Sequence, residues 1–267
     1  MVEERVQERS FRDVQVTAAD IHIRKIRLTD VTQALREGFA DFNANPSFVP
    51  FLIIIYPVFA LLLTLVMVGE NQLYLAFPMV AGFTLLGPVV STGLFEMSRH
   101  RERGLTVSWR SSFDFIHTSA FAPIAALSIV MMLLYVAWLY MAEFLYFGLF
   151  SSDPPASVGE FFGELWSTRH GAALVMYGTA IGFLCASTAL AISVIAFPLL
   201  LDKPTSAMTA VITSVKAVVT NPLAMAAWGG IVVALLAAGA ALFLVGLAAV
   251  LPILGHATWH LYRKVIE

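Results

Sequence analysis

Two histidines stand one helical turn apart near the end of the chain. They are His256 and His260, in the run LPILGHATWHLYRK (residues 251–264) that closes a stretch uncharged from Asn221 to Tyr262. An i, i+4 pair shares one face of a helix. Two imidazoles so placed can fill two positions around a metal, provided that other segments bring further ligands. The remaining histidines, His22, His100, His117 and His170, lie at no comparable depth in an apolar segment. We therefore assign no metal and no other cofactor and read the pair as hydrogen-bonding groups. Few charged groups can answer them: Glu96 and Arg99 at the end of an earlier apolar segment, and Arg263 just past the histidines. A carboxylate facing an imidazole forms a charge-assisted hydrogen bond, and Glu96 with His260 is the contact expected, with lipid head groups as the alternative partners. Glu143 and Asp202 each end an apolar segment. The chain has no phosphate-binding glycine loop, no nucleophile elbow, no H-E-x-x-H and no paired carboxylates. No catalytic residue is assigned, and the protein is read as a non-enzyme.

The elements that must hold these residues follow from composition. Of the 267 residues, 59% are hydrophobic and only 13% are charged, against about 25% charged in a soluble domain. Polar groups are too few to cover a soluble surface, so the class is membrane protein. The single cysteine, Cys185, excludes an intramolecular disulfide. Six apolar segments near residues 47–68, 73–97, 120–147, 172–201, 223–242 and 243–262 each approach the ~20 residues that cross about 30 Å of hydrocarbon. No polar loop separates the last two. One helix of that combined length would overshoot the bilayer, so a tight reversal is expected near Gly239 and Gly246. All but one of the sixteen Lys and Arg, the exception being Arg169, fall on the side shared by both termini. The positive-inside rule makes that side cytoplasmic, which gives an inner-membrane protein with both ends inside and the acidic, aromatic segment 151–171 outside.

Prolines suggest a repeat. Pro46, Pro123 and Pro222 each open an odd-numbered span, where a proline costs no helical hydrogen bond. Pro88, Pro198 and Pro252 fall late in the even-numbered ones, where a proline frees a carbonyl and kinks the helix. A cytoplasmic amphipathic segment precedes each pair. In the first of these, Asp30 and Gln33 have a capping-box spacing, and Val31, Leu35, Phe39 and Phe42 recur at helical spacing. The expected fold is all-α and polytopic: six transmembrane helices in three hairpin repeats with cytoplasmic amphipathic surface helices. The boundaries are a polar tail over 1–28, then repeats over 29–104, 105–203 and 204–267. If the three hairpins close into a ring, the first and last repeats adjoin. Glu96, Arg99, His256, His260 and Arg263 then form one polar cluster. Gly178 and Gly182 make a GxxxG on the fourth span, a spacing that lets helices approach closely.

The closing motif GHATWHLYRK (255–264) after Leu-Pro-Ile-Leu, the opening Leu28-Thr29-Asp30 with Ala34-Leu35 and Asp41-Phe42, and the Asn221-Pro222 junction resemble a family of predicted bacterial integral membrane proteins of unknown function. The resemblance covers most of the chain from about residue 26 and implies an inner-membrane location. Some relatives carry an automatic label of cytochrome c oxidase subunit I. That label demands more spans and histidines on several helices, whereas here the paired histidines share one. The functional expectation is association: a scaffold or accessory subunit of a membrane complex, a respiratory one among the possibilities. A carrier or channel for a lipid or small apolar molecule is the alternative, since transporters place sites at broken helices between repeats. An enzyme acting on lipid is a distant third reading. Expected partners are the lipid bilayer and other membrane proteins or further copies of the chain, with no nucleic acid.

Overall fold

The computed structural model of the chain describes residue 17 and residues 20–45, 72–150, 157–241 and 245–267. The first expected span (47–68), most of the polar tail and residues 151–156 of the outer segment lie outside the described residues. Within them the chain is helical, and its only β-pairing is an isolated antiparallel bridge between Ile23 and Ile266. In order, the helices are α1 (Leu28–Ala44), α2 (Ala76–Phe83), α3 (Gly87–Val90), α4 (Thr92–Glu102), α5 (Phe121–Phe150), α6 (Val158–Ser167), α7 (Arg169–Ser193), α8 (Ala196–Asp202), α9 (Ala207–Thr220), α10 (Pro222–Ala241) and α11 (Val245–Val265). Among the described residues four stretches are long and apolar enough to cross a membrane: Ala76–Glu102, Phe121–Phe150, Arg169–Asp202 and Pro222–Ala241. The protein is therefore an all-helical, polytopic membrane protein. Helix α11 is continuous over residues 245–262 of the expected sixth span, and its second half carries two histidines, Arg263 and Lys264.

The late prolines do not all act alike, and Pro46 lies outside the described residues. Pro198 breaks the third of these stretches between α7 and α8, at Val194–Ile195. Val194 is the residue whose carbonyl the proline ring crowds. The 3₁₀ turn Thr84–Leu86 ends two residues before Pro88. Pro252 is accommodated inside α11 without a break. The reversal between α10 and α11 is also present. A Cβ on Gly246 would sit 2.8 Å from the Cα of Gly239, so the two helices meet backbone to backbone there. Only glycine permits that approach. Of the three amphipathic segments, the first and third are α-helices (α1 and α9), while the second is a 3₁₀ stretch, Ser111–His117.

Two compact units divide the chain. One comprises Met1–Phe48, Pro88–Ser128 and Leu190–Glu267; the other comprises Val49–Gly87 and Ile129–Ala189. In the first unit α11 is the central element. Gly255 faces Leu94 of α4, and Gly38 of α1 lies against the backbone of Ala257 so closely that no Cβ fits at either glycine without a shift. The face that α1 buries is Val31, Ala34, Gly38 and Asp41, while Leu35 and Phe42 are half-buried and Phe39 is exposed. The stripe expected from Val31, Leu35, Phe39 and Phe42 is thus not the packed one; the smaller residues beside it let α1 approach α11. Asn221 ties the segment before α1 to this unit. Its side chain accepts from the Ile26 amide at 2.8 Å and donates to the Arg24 carbonyl at 3.0 Å.

The second unit is held by aromatic packing. Tyr74 stacks on Tyr146 with ring centroids 4.3 Å apart, and Phe150 stacks on the Tyr146 ring at 5.0 Å. The Tyr135 hydroxyl donates to the Met79 carbonyl at 3.1 Å. Gly182 is buried against Trp138 of α5; a Cβ there would lie 2.8 Å from the indole edge. Gly178, one turn earlier, has only Leu145 nearby, at 3.8 Å. The GxxxG is therefore an intrachain packing site at Gly182. Helix α6, capped by Ser157 accepting the Glu160 amide at 3.1 Å, leaves Phe162 and Trp166 exposed, as an amphipathic interfacial helix does.

Candidate functional site

All five residues of the expected polar cluster lie in the first unit, on α4 and α11. Their partners differ from those expected. His260 does not pair with Glu96. Its Nε2 lies 2.8 Å from Asp41 Oδ2, and its Nδ1 lies 3.6 Å from Glu37. Both carboxylates come from α1. Asp41 is buried and also accepts the Ser98 hydroxyl at 2.6 Å and meets Arg101 at 2.9 Å. Ser98 Oγ in turn lies 2.8 Å from His256 Nδ1. With the hydroxyl proton directed to Asp41, Ser98 accepts from His256 Nδ1–H, an assignment made from the network. A chain of hydrogen bonds thus runs from His260 through Asp41 and Ser98 to His256, which is only 1% exposed. Lys264 closes the outer edge through Glu37 at 3.0 Å. The fixed charges balance without either imidazole, Glu37 and Asp41 against Arg101 and Lys264. Burial works against charge on Asp41, but hydrogen bonds from His260 and Ser98 and the charge of the neighbouring imidazoles outweigh it. They hold its carboxyl below the usual range.

Glu96 forms a separate group. It is 1% exposed and pairs along its own helix with Arg99 and, at 3.1 Å, with His100. Arg99 also donates to the Leu201 carbonyl at the end of α8. Arg263 joins a third group: its Nε donates to Glu102 at 2.9 Å, and Asp202 lies 3.6 Å from Nη1. Trp259 donates to Glu102 at 3.1 Å, and the Tyr262 hydroxyl donates to Asp202 at 2.7 Å.

Sequence reasoning missed Asp41, Glu37, Ser98, Arg101 and Glu102. Asp41 carried a signal: residues 31, 34, 38 and 41 follow the i, i+3, i+7, i+10 pattern of one helix face, and the small residues Ala34 and Gly38 mark that face as the packed one.

Serine, histidine and aspartate at bonding distance invite comparison with a nucleophilic triad, in which histidine stands between the other two. Here serine stands between them, its hydroxyl is directed to the carboxylate, and Ser98 is buried. The arrangement joins three helices, α1, α4 and α11. Among the described residues no group of three or more His, Cys, Asp or Glu is placed to hold a metal ion. A groove of about 510 Å³ lies on the second unit between α5 and α7, lined by apolar side chains such as Met141, Phe144 and Ile181.

Neither the curated proteins nor the solved structures contain a match to the chain. Residues 76–202, from the first described long stretch to the end of α8, match the model of a family described as predicted integral membrane protein (DUF2189), a family of unknown function, in agreement with the apolar helices found there.

Proposed function

We propose that the protein acts without catalysis, by association, as a scaffold or accessory subunit of a complex in the bacterial inner membrane. The observation that carries this reading is that the polar groups mostly meet one another, Glu96 Oε2, Arg99 Nε and His100 Nδ1 being buried exceptions among the described residues. His256, His260, Arg263, Glu96 and Arg99 each meet a residue of the same chain. An enzyme or ion carrier keeps such groups convergent on a space that substrate can enter. The proposal includes the finer architecture: six spans in three hairpin repeats, with both termini cytoplasmic. Supporting it are the amphipathic helices α1 and α9, the close α10–α11 reversal and the sorting of positive charge. The apolar groove between α5 and α7 favours a second reading, a carrier for a lipid or small apolar molecule. Purification from native membranes in mild detergent separates the two. A membrane protein recovered in fixed ratio supports association. Recovery of the chain alone with one stoichiometric apolar ligand overturns it in favour of the carrier.

A further inference from the structure

Helix α9 is amphipathic in the inverse sense to a helix of a soluble protein. The face it buries in the first unit is small and polar: Ala210, Thr213, Ser214 and Ala217. Ser214 has a reason to be inside. Its hydroxyl accepts the amide of Ile195 at 3.2 Å, at the break that Pro198 imposes between α7 and α8. At 100° per residue, Met208, Ile212, Val215 and Val219 form a narrow stripe pointing directly away from that face. All four are exposed, Met208 and Val219 at 69% and 72%. Beside the stripe stands Lys216, exposed, and among the described residues it has no carboxylate partner.

An exposed stripe of four large apolar side chains needs a cover, and chain continuity says which. Helix α10, one of the stretches able to cross a membrane, begins at Pro222. Val219 is three residues earlier, no more than about 11 Å along the chain. The stripe is therefore tethered at the level where a span enters the bilayer. Apolar residues on one side with a flanking lysine are the composition of a helix lying in the membrane plane, and anionic lipid phosphate is the group that complements the lysine.

We propose that α9 lies in the membrane plane at the boundary of acyl chains and head groups, its Met208–Ile212–Val215–Val219 stripe in lipid and Lys216 binding the phosphate of an anionic lipid. This deepens the membrane reading and is independent of which protein, if any, the chain associates with.

The test uses the full chain with Cys185→Ser as background, a fluorophore attached at Ile212→Cys or Val219→Cys, and bilayers of phosphatidylethanolamine and phosphatidylglycerol. Quenching by lipids brominated near the head-group end of their chains, with none by aqueous iodide, is the expected result. Iodide quenching would put the stripe in water. Protection from both quenchers would mean that a second copy or a partner protein covers it. Either outcome overturns the proposal. For Lys216, native mass spectrometry reads the ratio of retained phosphatidylglycerol to phosphatidylethanolamine. Lys216→Gln should lower it about five-fold, the contribution of one basic residue at an anionic surface, and Lys216→Glu by more. An unchanged ratio in both variants removes the phosphate site.

Discussion

Replacing Asp41 is the sharpest probe of the junction between α1, α4 and α11. Its Oδ2 takes two hydrogen bonds, from Ser98 at 2.6 Å and His260 at 2.8 Å, and its Oδ1 meets Arg101 at 2.9 Å. Arg101 has 40% of its side chain exposed, so that pair is screened and contributes at most about 1 kcal/mol. Ser98 is buried and His260 largely so, and a hydrogen bond to a charged group contributes ~1.5–3 kcal/mol. Asp41→Ala leaves both without their acceptor and should destabilise the protein by about 3–4 kcal/mol, within the range for breaking a buried pair. Asp41→Asn keeps one acceptor oxygen and should cost about half. Equilibrium unfolding in mixed detergent micelles, followed by tryptophan fluorescence, measures both. A cycle with His260→Ala should show coupling of at least about 1 kcal/mol. The pH dependence has a definite sign. The Asp41 carboxyl titrates lower in the folded protein. Its ionised form therefore stabilises the fold above the ordinary carboxylate pKa of about 4, and that contribution is lost as pH falls through this range and below. The acid limb should be shallower in Asp41→Asn. If Asp41→Ala lies within about 0.5 kcal/mol of the parent, as an ordinary surface change would, the network does not hold α1 in place and the reasoning fails.

Other consequences are simpler to state. Gly182→Leu should lower stability in detergent by about 1–3 kcal/mol, since its Cβ would press on the Trp138 ring at 2.8 Å; Gly178→Ala, with its nearest neighbour at 3.8 Å, should be neutral or slightly stabilising by helix propensity. Equal effects at the two sites would show that α7 does not pack through Gly182. Ser214→Ala leaves the Ile195 amide without its acceptor and should cost about 1–3 kcal/mol in the same unfolding assay, whereas Ser214→Thr, which retains a hydroxyl, should cost less. For orientation, a membrane-impermeant thiol reagent applied from outside should label a cysteine at Gly163 and not one at Thr106, because the positive charge lies on the side of Thr106; the reverse pattern would invert the topology.

The long apolar helices were legible because their signal is summed over some twenty residues and little else competes with it. The α10–α11 reversal was legible from length alone, and Gly239 and Gly246 do meet there. The break at Val194–Ile195 follows from one residue, Pro198. Partner choice was not legible. The pairing of His260 with Glu96 rested on the first and last repeats adjoining in a ring. It failed to consider that Glu96 has Arg99 and His100 within its own helix, so its carboxylate is engaged before any other segment arrives. Asp41 was overlooked because the larger residues Leu35, Phe39 and Phe42 defined the apolar stripe, while α1 packs through Ala34 and Gly38. Size pointed to one face, and the need for close approach selected the other. The division into two units, which cuts through α5 and α7, has no marker in composition because both sides of each cut are equally apolar.

The polar contacts also account for how a chain so uniform in its spans settles on one arrangement. Lipid tails are as apolar as leucine, so burying an apolar helix face against another helix gains little from hydrophobicity and discriminates poorly between neighbours. Polar groups discriminate strongly, since one left unpaired at the edge of the hydrocarbon is costly. In the first unit those groups join segments far apart in sequence: Asp41 with Ser98 and His260, Arg99 with the Leu201 carbonyl, Ser214 with the Ile195 amide, Tyr262 with Asp202. Each bond fixes one helix against another in the register observed. The prolines take part in this selection, because the break before Pro198 frees the amide that Ser214 of α9 must reach. The two amphipathic helices take part as well: α1 brings a carboxylate to the end of α11, and α9 brings a hydroxyl to the gap between α7 and α8. Stability should accordingly be far more sensitive at Asp41, Ser98 and Ser214 than at exposed span positions such as Phe144, where one large apolar side chain serves as well as another.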